Sequence, residues 1–131
     1  MTTPPANPSA ATRSWVVSNA PGTLAEVRAT VRDVLGAWGW TQDRADDVVQ
    51  IVSELVGNVI RHAYGQAELT LTRTRDGVEI GVGDRARDLL VLQRPADGEG
   101  GYGLRLLDLL STGWTVEQHA VGKHVRAHIM R

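Results

Sequence analysis

The sequence predicts an α+β domain, a two-layer α/β sandwich in which helices cover one face of a mostly antiparallel sheet. Apolar residues recur at helical spacing between residues 23 and 64, whereas later segments alternate apolar with polar residues as strands do. Each type of element must bury one apolar face, and a layer of helices on a sheet satisfies both. The 131 residues fit one such domain. We therefore predict a domain at 15–131 after a flexible leader at 1–14, which is rich in Pro, Ala, Ser and Thr.

The first strand and the first helix follow directly from local patterns. The β-branched run "SWVVS" stops at "NAPG", which predicts an edge strand and a turn. The apolar positions from Leu24 to Trp38 then predict a helix. Thr23 is the predicted N-cap, Glu26 completes a capping box with it, and Gly39 ends the helix.

A second, longer helix is predicted from Thr41 to about Tyr64, where Gly65 ends it. Three aspartates near its start favour this assignment, since carboxylates stabilise the positive end of a helix. At about 100° per residue, four apolar residues fall in one narrow arc, which predicts the core face of the helix: Val48, Val52, Leu55 and Val59.

The remaining elements are predicted from alternation and turn signals. "AELTLTRT" and "GVEIGVGD" flank Asp76-Gly77, a strong signal for a hairpin of two antiparallel strands. Residues 85–103 show little periodicity and predict a long loop. Residues 104–112 predict a short helix, and two further strands are expected around Val121-Gly122. The order of strands in the sheet stays open.

Composition excludes several classes of function. The net charge of −1 gives no electrostatic footprint for nucleic acid, and no polybasic patch suggests a membrane surface. Without cysteine there are no disulfides and no thiolate metal sites. No segment has the length of a signal peptide core or a membrane span. A cytoplasmic protein that contacts neither nucleic acid nor membrane is the simplest expectation.

A polar stripe runs along the margin of the second helix. Glu54, Asn58 and His62 are spaced one turn apart beside the apolar arc. One interpretation is structural: Glu54 pairs with an arginine such as Arg61, and Asn58 bonds a loop backbone. The other is chemical, since an amide oxygen beside a carboxylate suits Mg²⁺ that is bound jointly with substrate phosphates. A glutamate one turn away could then accept a proton from an attacking hydroxyl.

Two later features have the chemistry of a nucleotide pocket. Asp84 closes a predicted strand, where a carboxylate is either a turn residue or a reader of an amine such as adenine N6. Four glycines directly precede the short helix: Gly98, Gly100, Gly101 and Gly103. Glycine-rich backbone at a helix N-terminus can cradle phosphate, although a plain linker fits the same composition.

Taken together, these motifs resemble the GHKL (Bergerat-fold) ATP-binding superfamily. "SELVGNVIRHA" is similar to its N-box in the anti-sigma-factor serine/threonine kinase branch, Asp84 to the G1 box, "DGEGGYGL" to the G2 box and lid, and "GKHV" to a terminal G3-like element. The resemblance spans roughly residues 15–131 in the family's motif order.

The resemblance implies a role for each matching residue. Glu54 becomes the catalytic base, Asn58 the Mg²⁺ ligand and Asp84 the adenine contact, while His62 is mainly structural. The remaining expected ATP contacts are the four glycines together with Leu104, Arg105, Lys123 and His124.

The resemblance also implies a function, namely an ATP-dependent protein serine/threonine kinase that acts as an anti-sigma factor. It would sequester a sigma factor and phosphorylate a STAS-domain anti-anti-sigma protein. The alternative is a sequestering module without kinase activity, favoured by Tyr102, His124 and the lack of glycines after Asp84. Leu24, Val27 and Trp38 of the first helix are either core residues or a homodimer interface.

Overall fold

The computed structural model describes residues 12–62, 66–84, 102–119 and 122–131. Five strands and three helices appear in this order: β1 Thr12–Val17, α1 Thr23–Ala37, α2 Gln42–His62, β2 Ala67–Arg73, β3 Gly77–Asp84, α3 Tyr102–Leu110, β4 Gly113–His119 and β5 Gly122–Met130. The predicted α+β class is confirmed. β1 begins at Thr12, so the strand takes in the last residues of the predicted leader.

All described strands belong to one antiparallel sheet with the order β1-β2-β3-β5-β4. β1 lies at one edge, as predicted, and β4 lies at the other. The chain forms β1, β2 and β3 as neighbours, then passes through α3 to β4, and β5 fills the place between β3 and β4. This order is what the sequence pattern left open.

One face of the sheet carries the core, and the helices pack on it. Alternate residues of β2, β3 and β5 are buried there, including Leu69, Leu71, Ile80, Val82, Val125 and Ile129. The predicted core arc of α2 is confirmed, since its four residues are between 0 and 3% exposed: Val48, Val52, Leu55 and Val59. The helical layer and the sheet therefore share a single hydrophobic core.

The start of α1 differs from the prediction. Gly22 is the N-cap with a φ of 83°, and no side chain caps the helix, so the predicted capping box is wrong. The left-handed residue redirects the chain, which makes Thr23 the first helical residue rather than the cap. The amide of Glu26 donates to the Gly22 carbonyl at 3.1 Å, closing the first turn.

The end of α1 confirms the predicted stop. Gly39 has a φ of 88°, and its N–H donates to the Gly36 carbonyl at 3.1 Å. The N–H of Trp40 donates to the Leu35 carbonyl at 3.0 Å. These two bonds form a Schellman motif, and the buried Trp40 and Leu35 supply the apolar residues that accompany it.

α2 begins one residue later than predicted because Thr41 caps it. The Arg44 N–H donates to the Thr41 hydroxyl oxygen at 3.3 Å, and the Ala45 N–H donates to its carbonyl at 2.9 Å. The helix runs to His62. The predicted stop at Gly65 lies outside the described residues.

The predicted hairpin between β2 and β3 is confirmed, with the Thr74 N–H donating to the Gly77 carbonyl at 2.9 Å. Glycine is required at position 77 by a close approach of β5, because a Cβ there would lie 2.0 Å from the Ile129 carbonyl oxygen. The imidazole of His128 lies within hydrogen-bond distance of Thr74 and of Thr112, which precedes β4. One side chain therefore ties together two connections of the sheet.

The apolar residues of α1 belong to the core. Val27 and Trp38 are 8% and 5% exposed, and Leu24 packs against the buried cluster. Val27 and Trp38 are therefore core residues rather than exposed apolar surface, whereas a homodimer stays a prediction. Within the described ranges, none of the helices combines the length and the apolar character needed to span a bilayer.

Candidate functional site

α2 packs between α1 and α3, and its two sides differ in chemistry. On the α1 side, Arg28 Nε donates to Ser53 Oγ at 2.8 Å, and Arg32 Nε contacts Asp46 Oδ1 at 3.3 Å. Leu24 approaches the buried Gly57 closely, since its Cδ2 would lie 3.7 Å from a Cβ there. Polar groups on this side therefore find their partners on the neighbouring helix.

The other margin of α2 carries Glu54 and Asn58. At 3.6 residues per turn, Asn58 lies about 140° around the helix from Ser53, and Glu54 lies one turn before Asn58 on the same side. Asn58 is 4% exposed and is the one buried polar side chain in the described part of the chain. The helix therefore holds an amide where apolar residues surround it, and burial of that kind requires hydrogen bonds.

Asn58 finds its partner on its own helix. The guanidinium of Arg61, three residues further on, donates through Nη2 to Asn58 Oδ1. The predicted alternative, in which Arg61 pairs with Glu54 and Asn58 bonds a loop backbone, is therefore wrong. Sequence reasoning missed the Asn58–Arg61 pair, although the i,i+3 spacing places two such residues next to each other on a helix surface.

Glu54 is half-buried and, among the described residues, has neither a hydrogen-bond partner nor an ion-pair partner. A carboxylate in that position accepts hydrogen bonds but donates none when ionised. Nothing in the described structure therefore competes for its oxygens. It remains available to a proton donor or to a metal-bound water.

The two oxygen donors fit a hard divalent cation. An amide oxygen and a carboxylate one turn apart are the ligand types that Mg²⁺ takes, and Mg²⁺ is commonly held by one or two protein oxygens together with substrate phosphates. The described residues contain no group of three or more metal-ligating side chains that could hold a metal alone. The donor set therefore suits a cation that arrives with phosphate and keeps several waters.

The structure places part of the predicted phosphate segment beside this helix. Gly103 and Leu104 lie in the first turn of α3, and α3 packs against α2, with Leu107 buried between the layers. Arg105 is exposed, and none of the described residues forms a hydrogen bond or ion pair with it. The predicted contacts at Gly98, Gly100 and Gly101 lie outside the described residues.

Asp84 is the last residue of β3, and it pairs with the buried Ala67 at the end of the β2–β3 ladder. Only its backbone is described. The prediction that an aspartate closes this strand is confirmed, whereas its contact with adenine stays a prediction. Lys123 likewise has only its backbone described, and it pairs with Gln118 near the start of β5.

His124 lies on the face of the sheet that the helices leave open. Its neighbour Val125 is buried in the core, and successive residues of a strand point to opposite faces. The His124 Nε2 atom would lie 2.8 Å from a Cβ at Gly81, so the imidazole covers that glycine. The structure therefore does not bring His124 together with Asn58.

Comparison with known proteins places the chain in a family. The family model described as a histidine kinase-like ATPase domain matches residues 17–129, which is most of the chain. The chain therefore belongs to that family, and the predicted GHKL resemblance is confirmed. Membership in an ATPase domain family implies that the protein binds ATP. No curated protein sequence matches the chain significantly.

Two solved structures share the fold. One is the SiaB-SiaC complex from Pseudomonas aeruginosa, with a TM-score of 0.71, 18% identity, and coverage of 89% of this chain and 88% of that one. The other contains the RsbU and RsbW domains of Rv1364c from Mycobacterium tuberculosis, with a TM-score of 0.70, 18% identity and coverage of 91% of this chain. This chain spans only 32% of the length of the latter, so it corresponds to part of that protein.

Proposed function

We propose that this member of the histidine kinase-like ATPase domain family is an anti-sigma factor with protein serine/threonine kinase activity. It binds Mg-ATP along the Glu54–Asn58 margin of α2 and phosphorylates a hydroxyl of a STAS-domain partner. It also binds a sigma factor and holds it inactive. The observation that carries the proposal is the buried Asn58 with a half-buried Glu54 one turn before it that has no partner among the residues the structure describes.

Each of the three proposed site residues has one chemical task. Asn58 Oδ1 would hold Mg²⁺, which when bound offsets the charge of the phosphates. The hydroxyl oxygen of the partner protein bonds to the γ-phosphorus, and the bond between that phosphorus and the oxygen that leaves with ADP breaks. Glu54 accepts the proton that the hydroxyl loses. Its lack of a partner among the described residues leaves both carboxylate oxygens available for that proton. Asp84, at the end of β3, would read the adenine amine.

The nature of the two similar structures supports a protein substrate. SiaB was solved in a complex with SiaC, and the Mycobacterium tuberculosis protein joins an RsbW domain to an RsbU domain. Both share their fold with this chain. Both structures therefore combine a domain of this fold with a second protein or domain.

The test is a Mg-ATP titration by calorimetry on the wild-type protein, Asn58→Ala and Asp84→Ala, followed by phosphotransfer to a purified STAS-domain protein. We expect saturable binding that weakens in both variants, and phosphate on a serine or threonine of the partner. Wild-type protein that does not bind Mg-ATP would overturn the proposal. Binding that survives Asp84→Ala unaltered would overturn only the adenine assignment.

A sequestering module without kinase activity is the second candidate. It is favoured by the bond that already occupies Asn58 Oδ1 and by the position of His124 on the open face of the sheet. Under this alternative, capture of a sigma factor is insensitive to nucleotide, and Asn58→Ala leaves it unchanged. A pull-down with and without Mg-ATP separates the two functions.

A further inference from the structure

The Asn58–Arg61 bond occupies the oxygen that we assign to the metal. Asn58 Oδ1 would hold the cation, yet in this structure the same oxygen accepts a hydrogen bond from a guanidinium. Arginine is always charged in proteins and has no acceptor atom. The Asn58 oxygen that would bind the metal cation therefore already accepts a hydrogen bond from the positively charged Arg61.

The position of Arg61 follows from the shape of α2 at this point. Its Nη1 atom would lie 3.4 Å from a Cβ at Gly57, so the guanidinium folds back over a residue that has no side chain. Gly57 is buried, whereas Arg61 is exposed. The charged group can therefore leave Asn58 for solvent without disturbing the core.

A bare divalent cation and the guanidinium repel each other when both approach one oxygen, and burial of Asn58 strengthens that repulsion because water screens it poorly there. Phosphate oxygens reduce this repulsion between the cation and the guanidinium. They neutralise the cation, and they also form strong, charge-assisted hydrogen bonds with arginine. A cation that arrives with a polyphosphate therefore meets a smaller barrier than a cation alone.

We propose that Arg61 is a latch that keeps a bare divalent cation off Asn58 Oδ1 and admits the cation together with phosphate groups. This inference rests on the proposed function, because it takes Asn58 as the metal ligand. Arg61 would then ensure that the metal binds together with the nucleotide and not before it. The site would be empty of metal at cellular Mg²⁺ concentrations until nucleotide arrives.

The test measures Mn²⁺ binding to the nucleotide-free protein by electron paramagnetic resonance of the unbound ion. We expect Arg61→Leu to tighten Mn²⁺ binding by about tenfold, within the range of measured couplings between two sites. Arg61→Gln, which removes the charge but stays polar, is expected to do the same. Arg61→Lys, which keeps a positive charge, is expected to remain close to wild type.

Two controls separate the latch from general effects of charge. Arg32→Leu removes a positive charge from an ion pair on the surface of α1 and is expected to leave Mn²⁺ binding unchanged. The double variant Asn58→Leu/Arg61→Leu is expected to lose the gain, because the ligand itself is gone. Equal tightening in Arg32→Leu, or a gain that persists in the double variant, would overturn the latch.

A parallel Mg-ATP titration distinguishes failure of the latch from failure of the proposed function. If wild-type protein binds Mg-ATP and Arg61→Leu and Arg61→Gln leave Mn²⁺ binding unchanged or weaker, the latch is wrong and the proposed function stands. If wild-type protein does not bind Mg-ATP, the proposed function itself is overturned.

Discussion

The two sides of α2 satisfy their polar groups in opposite ways. On the α1 side, Ser53 and Asp46 are bonded to arginines of another helix. On the other margin, Asn58 is bonded within its own helix, and Glu54 has no partner among the described residues. Contacts between helices hold the fold, whereas a buried amide and a free carboxylate contribute little to it. The difference separates the structural margin of α2 from the margin that we propose as functional.

Glu54→Gln gives the largest expected effect. The amide keeps the size of the side chain but cannot accept a proton, so phosphotransfer is expected to fall by about 10²- to 10⁴-fold, the usual contribution of a general base. The melting temperature should stay close to wild type because no described contact is lost. Phosphotransfer rates with a STAS-domain substrate measure the expected loss of activity, and thermal denaturation measures the melting temperature. Full activity in this variant would contradict the base assignment.

Asn58→Leu comes next. Leucine is apolar and similar in size, and it removes the oxygen that we assign to Mg²⁺, so the Kd for Mg-ATP is expected to rise by at least about tenfold, comparable with losses at residues that support metal ligands. Stability should change little, because the exposed Arg61 can be hydrated instead. Calorimetric titration and denaturant unfolding measure the two quantities. Unaltered Mg-ATP affinity would place the ligand elsewhere.

Ser53→Ala tests the α1 side of α2, where we expect a loss of stability and no loss of nucleotide affinity. It deletes the acceptor of the 2.8 Å bond from Arg28, which should lower the free energy of unfolding by about 1 kcal/mol. Mg-ATP affinity should be unchanged. Urea unfolding and the same calorimetric titration provide the measurement. A loss of nucleotide affinity without a loss of stability would show that the two margins are not separate.

Arg32→Leu is expected to have the smallest effect. The ion pair with Asp46 is about half exposed on both sides, and surface pairs contribute between about 0 and 1 kcal/mol. Urea unfolding should therefore show a small decrease that shrinks further at high salt, because ions screen exposed charges. A decrease larger than that of Ser53→Ala would contradict this ranking of the α1 contacts.

Most of the fold could be predicted from sequence because its signals are local. Helical spacing from Leu24 to Trp38, the core arc of α2 and alternation around Asp76-Gly77 each depend on residues close in the chain. The order of the strands could not be predicted, because the pairing of β3 with β5 joins residues between 41 and 53 positions apart. The capping box failed for a different reason: a left-handed glycine can start a helix without any side-chain cap.

The candidate site was predicted less completely than the fold. The spacing of Glu54 and Asn58 indicated a polar margin, and the structure shows them on one side of α2 at different depths. The pairing of Asn58 with Arg61 was missed because Arg61 lies three residues from Asn58 and seven from Glu54, and helical periodicity brings both spacings to the same side of a helix. His124 was predicted to contact ATP because of the local motif "GKHV". The face of the sheet on which it lies follows instead from the alternation of side chains along β5, since its neighbour Val125 is buried in the core.

β5 is synthesised after β4, yet it lies between β3 and β4 in the sheet. Strands β3 and β4 leave the ribosome before the strand that separates them, so neither can complete its ladder until residues 122–130 have been synthesised. Until then β3 exposes an unpaired edge, which is the kind of surface that invites wrong pairing between nascent chains. Folding of the sheet is therefore expected to finish in one late step, and a ribosome stalled before residue 122 should hold an incomplete domain.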